Sequence, residues 1–200
     1  SLSTVFAVDA ALSPDGQTVA VITMGQTTGD FFSRLLFYPV DQTEPSAQVE
    51  LGSLTVLDLD YEEGLVWVLC EDRLLTITPD GQSVQTFLLS PNYLKGCTLE
   101  GEGFALLLTG RYRSGSADQA LLVDSSAQVV QSIALTGQVL DYAAAGEYCA
   151  LLTGSQLSVY NTSLEFVAGV ENSRAARRVD LNTNGSALLA NDHQAWLYIP

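Results

Sequence analysis

The stretch Asp9-Ala10-Ala11-Leu12-Ser13-Pro14-Asp15-Gly16-Gln17-Thr18-Val19-Ala20-Val21-Ile22-Thr23 decides the fold. It reads as a short strand to Leu12, a turn over Ser13–Gly16 and an apolar strand from Val19 to Thr23. Pro14 presets φ for the turn, and Gly16 supplies the left-handed residue that closes it. The same unit returns four more times, as an apolar residue, an Asp or Thr, and a Gly five to seven positions later. The matches are Leu57-Asp58 to Gly64, Cys97-Thr98 to Gly103, Leu140-Asp141 to Gly146 and Val179-Asp180 to Gly185. Successive anchors lie 49, 40, 43 and 39 residues apart (9 to 58, 58 to 98, 98 to 141, 141 to 180).

Each Gly leads into an apolar strand that ends on Thr23, Cys70, Thr109, Thr153 or Asn191. A third strand follows at 34–38, 73–77, 119–123, 156–160 and 194–198, and a fourth at 47–51, 83–89, 128–135 and 164–170. Four short strands per unit, returning every ~40–45 residues, make a β-propeller blade; helical repeats need a 3.6-residue pattern that is absent. The expected fold is all-β, a β-propeller of four-stranded antiparallel blades with about five blades visible. Residues 1–200 then form one repeat domain with blades near 5–51, 54–89, 94–135, 137–171 and 176–200. Nineteen strands are counted. The last blade lacks its outer strand, and Ser1–Thr4 is too short to supply it. Because an open edge exposes unpaired backbone groups, we read the chain as an arc of a larger propeller. A free-standing five-blade ring is the alternative.

Hydrophobic residues make up 47% of the chain and charged ones 16%, enough to bury a large core. The net charge of −15 argues against nucleic acid and against docking on anionic lipid. Cys70, Cys97 and Cys149 are odd in number and lack Cys-x-x-Cys spacing, so neither a zinc site nor a disulfide framework is indicated. Cys149 stands where other units have Val or Ala and reads as a small buried residue. A Cys70–Cys97 bond stays open.

The basic residues are not spread evenly. In the propeller register, loops from second to third strand and from one blade to the next share a face. Arg34, Arg73, Lys95, Arg111, Arg113, Arg174, Arg177 and Arg178 all fall in or beside those loops. The opposite turns carry Asp15, Asp41, Glu44, Glu62, Glu63, Asp80, Glu100, Glu102, Asp124 and Glu147. The candidate binding residues are therefore Tyr93, Lys95, Arg111, Tyr112, Arg113, Arg174, Arg177 and Arg178, since Arg and Tyr are enriched at interface hot spots. Phe31 and Phe32, in the connection Met24–Ser33, join them either as a binding platform or as a lid tucked onto the blade. The competing reading is that these arginines pair locally with Asp30, Asp72, Asp118, Glu171 and Asp192.

Chemistry is harder to find. Asp9, Asp58, Asp141 and Asp180 recur on the first strand of a unit, either as a carboxylate ring or as hydrogen-bond acceptors that hold blade geometry. Asp58, Asp60 and Glu62 alternate and point one way, but without the spacing of a calcium loop. His193 is the single histidine, and no nucleophile elbow Gly-x-Ser-x-Gly occurs. Arg111-Tyr112-Arg113-Ser114-Gly115-Ser116 lacks the Gly-Lys-Ser/Thr ending of a phosphate loop. No catalytic residue, metal ligand or cofactor is assigned.

The Leu12–Gly16 turn, the Arg111–Ser116 run, Arg174-Ala175-Ala176-Arg177-Arg178 and the end Trp196-Leu197-Tyr198-Ile199-Pro200 together resemble the C-terminal half of an uncharacterised bacterial family of membrane-anchored β-propeller proteins, a domain-of-unknown-function family. The resemblance implies further blades and a membrane anchor upstream, and an extracytoplasmic location. It carries no activity. The expected function is a non-catalytic binding or scaffold module that presents an Arg/Tyr-bearing loop face to a protein or glycan. The alternative is a propeller hydrolase or lyase using channel carboxylates.

Overall fold

The computed structural model describes residues 4–27, 29–171 and 173–200. Residues 1–3 of the Ser1–Thr4 stretch and Thr28 of the Met24–Ser33 connection lie outside the described residues. Nineteen strands are found, and no helix occurs among the described residues. They form five antiparallel sheets, each strand pairing with its sequence neighbour. The first holds β1 (Thr4–Leu12), β2 (Thr18–Gln26), β3 (Phe31–Pro39) and β4 (Ala47–Gly52); the second β5 (Val56–Glu62), β6 (Leu65–Cys70), β7 (Arg73–Ile77) and β8 (Val84–Leu88). The third is β9 (Tyr93–Gly101), β10 (Phe104–Gly110), β11 (Gln119–Asp124) and β12 (Val129–Ala134). The fourth is β13 (Val139–Ala145), β14 (Tyr148–Thr153), β15 (Gln156–Asn161) and β16 (Phe166–Glu171). The fifth has three strands, β17 (Arg178–Leu181), β18 (Ala187–Ala190) and β19 (Ala195–Tyr198).

The strands gather into two compact units. One runs to Leu88 and takes in Ser125–Ala127; the other comprises Leu89–Asp124 and Gln128–Pro200. In the first unit, Ile22, Leu35, Phe37, Val66, Val68, Cys70 and Ile77 pack into one buried cluster between the two sheets. The second unit has two clusters. Phe104, Leu106, Leu122 and Leu151 centre one, and Leu152, Leu157, Val179 and Leu189 centre the other. Middle strands such as β10 are buried at every position, while outer strands β8 and β12 are mostly exposed. Continuous apolar runs and weaker patterns in the sequence mark that same division.

The repeated apolar–Asp anchor has a backbone explanation. Register slips between Ala7 and Asp9, Val56 and Asp58, and Val139 and Asp141, so Val8, Leu57 and Leu140 are the extra residues of β-bulges. All three side chains are exposed, as a bulged residue's is when it is pushed out of the pleat. Three of the repeated carboxylates serve their own chain: Asp9, Asp58 and Asp180 accept the N–H of the next residue at 2.8–2.9 Å. Asp141 instead reaches the neighbouring sheet, where its Oδ2 accepts the Val179 N–H at 2.9 Å. Its Oδ1 lies 3.7 Å from Arg178. Asp141 therefore ties β13 to β17.

Two turns of the first unit are built alike. Ser13 Oγ donates to Asp15 at 2.6 Å and Thr78 Oγ1 to Asp80 at 2.5 Å, while the N–H groups of Gln17 and Gln82 reach the same carboxylates at 3.0 Å. These hydroxyl donors hold both carboxyls below the ordinary Asp range, so they stay ionised.

Candidate binding surface

The second unit brings the candidate residues together at one end. β9 and β13 run parallel, since Gly101 and Gly146 at their far ends form a parallel bridge. The Asp141–Val179 bond sets the start of β17 beside the start of β13. Tyr93 and Lys95 open β9, Arg178 opens β17, and Arg174 and Arg177 immediately precede it. The hairpin between β10 and β11, residues 111–118, emerges at that same end because Gly110 pairs with Tyr93. The opposite end of this unit carries the exposed Glu100, Glu102, Glu147 and Glu165 and no basic residue.

The hairpin is held by polar groups of its own and by one from β9. Lys95 Nζ donates to the Ser114 carbonyl at 2.6 Å, and Ser114 Oγ donates to the Ser116 carbonyl at 2.9 Å. Arg111 Nε meets Asp118 Oδ2 at 3.3 Å. What the loop offers outward is aromatic and cationic. The Tyr93 and Tyr112 rings lie 4.9 Å apart at 43°, with 48% and 63% of their residues' surface exposed. The Arg113 guanidinium stands 5.1 Å from the Tyr112 ring centre. Beside it, residues 115–118 and 135–138 enclose a polar depression of about 520 Å³.

Local pairing accounts for half of the basic residues. Arg34 meets Glu50 at 2.8 Å, Arg73 meets Asp72 at 2.8 Å, and Arg111 and Arg178 have Asp118 and Asp141. Two of these partners, Asp72 and Asp118, are those expected from sequence; Glu50 and Asp141 are not. Among the described residues Lys95, Arg113, Arg174 and Arg177 meet no carboxylate. Arg113 and Arg174 also hold φ of +59° and +52°, which is uncommon for a residue with a side chain.

Phe31 and Phe32 belong to the first unit and lie on β3, not in a loop. The β2–β3 ladder continues through Met24–Ser33, Gly25–Phe32 and Gln26–Phe31. Gly25 makes room for it: a β-carbon there would come within 2.5 Å of the Phe32 ring. Arg34 stands 4.7 Å above that ring, and Phe31 is exposed at the strand start.

The acidic strand β5 differs from the turns. Burial raises the carboxyls of Asp58 and Asp60 above the ordinary range, and the charge of Asp9 adds to the effect at Asp58. The folded state therefore holds these protons more tightly than the unfolded chain. Between the ordinary carboxylate pKa and the raised one, stability falls as pH rises, and above both the penalty is complete. Asp58→Asn keeps the acceptor for the Leu59 N–H and removes the charge. The variant is expected to unfold at higher urea than the parent at pH 8, with the advantage shrinking towards pH 4. A lower midpoint at pH 8 contradicts this. Among the described residues no three His, Cys, Asp or Glu side chains converge as metal ligands would. His193 is exposed in the β18–β19 turn, where its N–H bonds Asn191. Cys70 and Cys149 are buried thiols, pushed up to about 12 by desolvation and so unreactive at neutral pH.

No family model and no curated protein sequence matches the chain. Solved structures do. BBS1N in complex with ARL6DN is 10% identical with a TM-score of 0.55, and the match takes in 98% of this chain and 83% of that one. BamB from Moraxella catarrhalis is 11% identical, TM-score 0.54, covering 96% and 63%. The N-terminal domain of Nup159 is 10% identical, TM-score 0.59, covering 94% and 54%. These are β-propellers. With five antiparallel sheets, four of them four-stranded, the chain is an all-β protein of the β-propeller class.

Proposed function

We propose that this chain is a non-catalytic binding or scaffold module that presents the Tyr93, Lys95 and Arg111–Arg113 end of its second unit to a protein partner. One observation carries the reading: Tyr112 and Arg113, an arginine without a carboxylate partner, sit on a loop tied by hydrogen bonds to itself and to β9, where the half-exposed Tyr93 meets Tyr112. Rigid aromatic and Arg anchors of this kind concentrate binding energy. Arg174 and Arg177, at the same end, widen the cationic surface. A structural neighbour, BBS1N, was solved in complex with ARL6DN, which supports a protein over a glycan as the partner here. On the family resemblance alone, we place the module outside the cytoplasm, tethered to the cell membrane by a preceding segment. Protease treatment of intact cells making the full-length protein tests that placement: cleavage is expected, and full protection overturns it.

Reversing charge tests the surface. Arg111→Glu, Arg113→Glu and Arg177→Glu combined are expected to lower recovery of cross-linked partner at least tenfold against the parent chain. Exposed positions tolerate such changes within about 0.5 kcal/mol, so folding should be preserved. Unchanged recovery removes the loop end from the interface.

A further inference from the structure

We propose that the Tyr93–Tyr112–Arg113 cluster receives a single carboxylate flanked by an aromatic or aliphatic side chain, as in a Glu- or Asp-bearing extended peptide. This rests on the binding reading above and names the chemistry of the partner. The charge available at the hairpin decides it. Arg111 already faces Asp118, and the Lys95 ammonium donates to the Ser114 carbonyl. Arg113 alone in the hairpin meets no carboxylate among the described residues, and the Tyr112 ring beneath it holds its position. One free guanidinium matches one carboxylate through two parallel N–H donors. A phosphomonoester would bring a second negative charge beside Asp118, while Lys95, the cation hydrogen-bonded to the hairpin, is already turned onto the Ser114 carbonyl; a nucleic-acid strand needs several cations.

The rest of the surface fits a peptide. The tilted Tyr93–Tyr112 pair offers apolar ring surface next to the cation. The adjoining depression is polar, and at Gly115 and Gly137 nothing lies within 4 Å of where a β-carbon would stand. A partner's main chain can approach the backbone closely at both points, where a side chain would keep it away.

The test uses the whole chain, labelled with nitrogen-15, and amide shifts read during titration with acetyl-Glu-Phe-Glu-Phe-amide. Parallel titrations use the Gln-Phe and Lys-Phe counterparts, inorganic phosphate and maltohexaose. Saturable shifts confined to residues 110–118 and 135–138 are expected, with the Glu peptide at least tenfold tighter than the Gln peptide. Arg113→Gln should abolish that difference. Equal affinity of the Glu and Gln peptides overturns the proposal, as does tighter binding of the Lys peptide, of phosphate or of the sugar, or shifts confined to other residues. If charge reversal abolishes partner recovery while the Glu peptide shows no preference, the carboxylate chemistry falls and the binding reading stands. If recovery survives charge reversal, the binding reading falls with it.

Discussion

Phe37→Ala is expected to lower the unfolding free energy by about 3–5 kcal/mol, the range for a buried phenylalanine truncated in a packed core. Phe37 is fully buried at the centre of β3, opposite Ala20 on β2 and Ala47 on β4. A large ring flanked in its row by two alanines fills a gap that no neighbour in that row can close. Ile22 and Leu35, also buried in that cluster, are held by the sheet and have little freedom to relax into the space. Phe37→Leu restores much of the volume and should recover more than half of the loss. Urea unfolding followed by tryptophan fluorescence measures both. A cost below about 1 kcal/mol for Phe37→Ala would mean that the first unit's core is not packed as described.

Gly110→Ala should combine a stability loss of about 1–3 kcal/mol, typical of overpacking, with loss of partner recovery. A β-carbon at Gly110 would stand 2.7 Å from the Ser116 carbonyl oxygen and 3.2 Å from Lys95 Cε. The first contact is backbone, so the hairpin itself has to move, and the second disturbs the lysine that holds it. Either displacement shifts Tyr112 and Arg113 relative to Tyr93. Gly154→Ala, in the turn between β14 and β15, is the control: a β-carbon there meets nothing within 4 Å and should leave stability and recovery unchanged. If Gly110→Ala behaves like Gly154→Ala, the loop is not the fixed platform that binding requires.

The strands were legible in the sequence because each middle strand is an apolar run and each turn carries a Gly or Asx signal. Gly16, Gly64, Gly81, Gly103, Gly146 and Gly185 all take positive φ, as turn glycines do. The bulges were not legible. A bulge is a property of two strands, and Val8, Leu57 and Leu140 look in sequence like ordinary core residues beside a polar anchor. The strand character of Phe31 and Phe32 was hidden for a related reason, since a Gly/Thr-rich stretch resembles a loop until Gly25 is seen opposite the ring that occupies its space.

The binding surface divides in the same way. Arg111-Tyr112-Arg113 stood out by composition, and the hairpin spans the residues expected. That Tyr93 meets Tyr112 follows only from the Gly110–Tyr93 register, and no spacing rule gives it. Which arginines lack a carboxylate could be read only in part: Asp72 and Asp118 are near their partners in sequence, Glu50 and Asp141 are not. Arg178 finds Asp141 from a strand in another sheet, 37 residues away in sequence (141 to 178).

Hydrogen exchange of the chain with and without its cross-linked partner tests the central claim most directly. Slowed exchange is predicted at residues 110–118 and 135–138 and at the start of β9, with the turns bearing Asp15 and Asp80 unchanged. Slowed exchange at those acidic turns, with the hairpin unaffected, would contradict it.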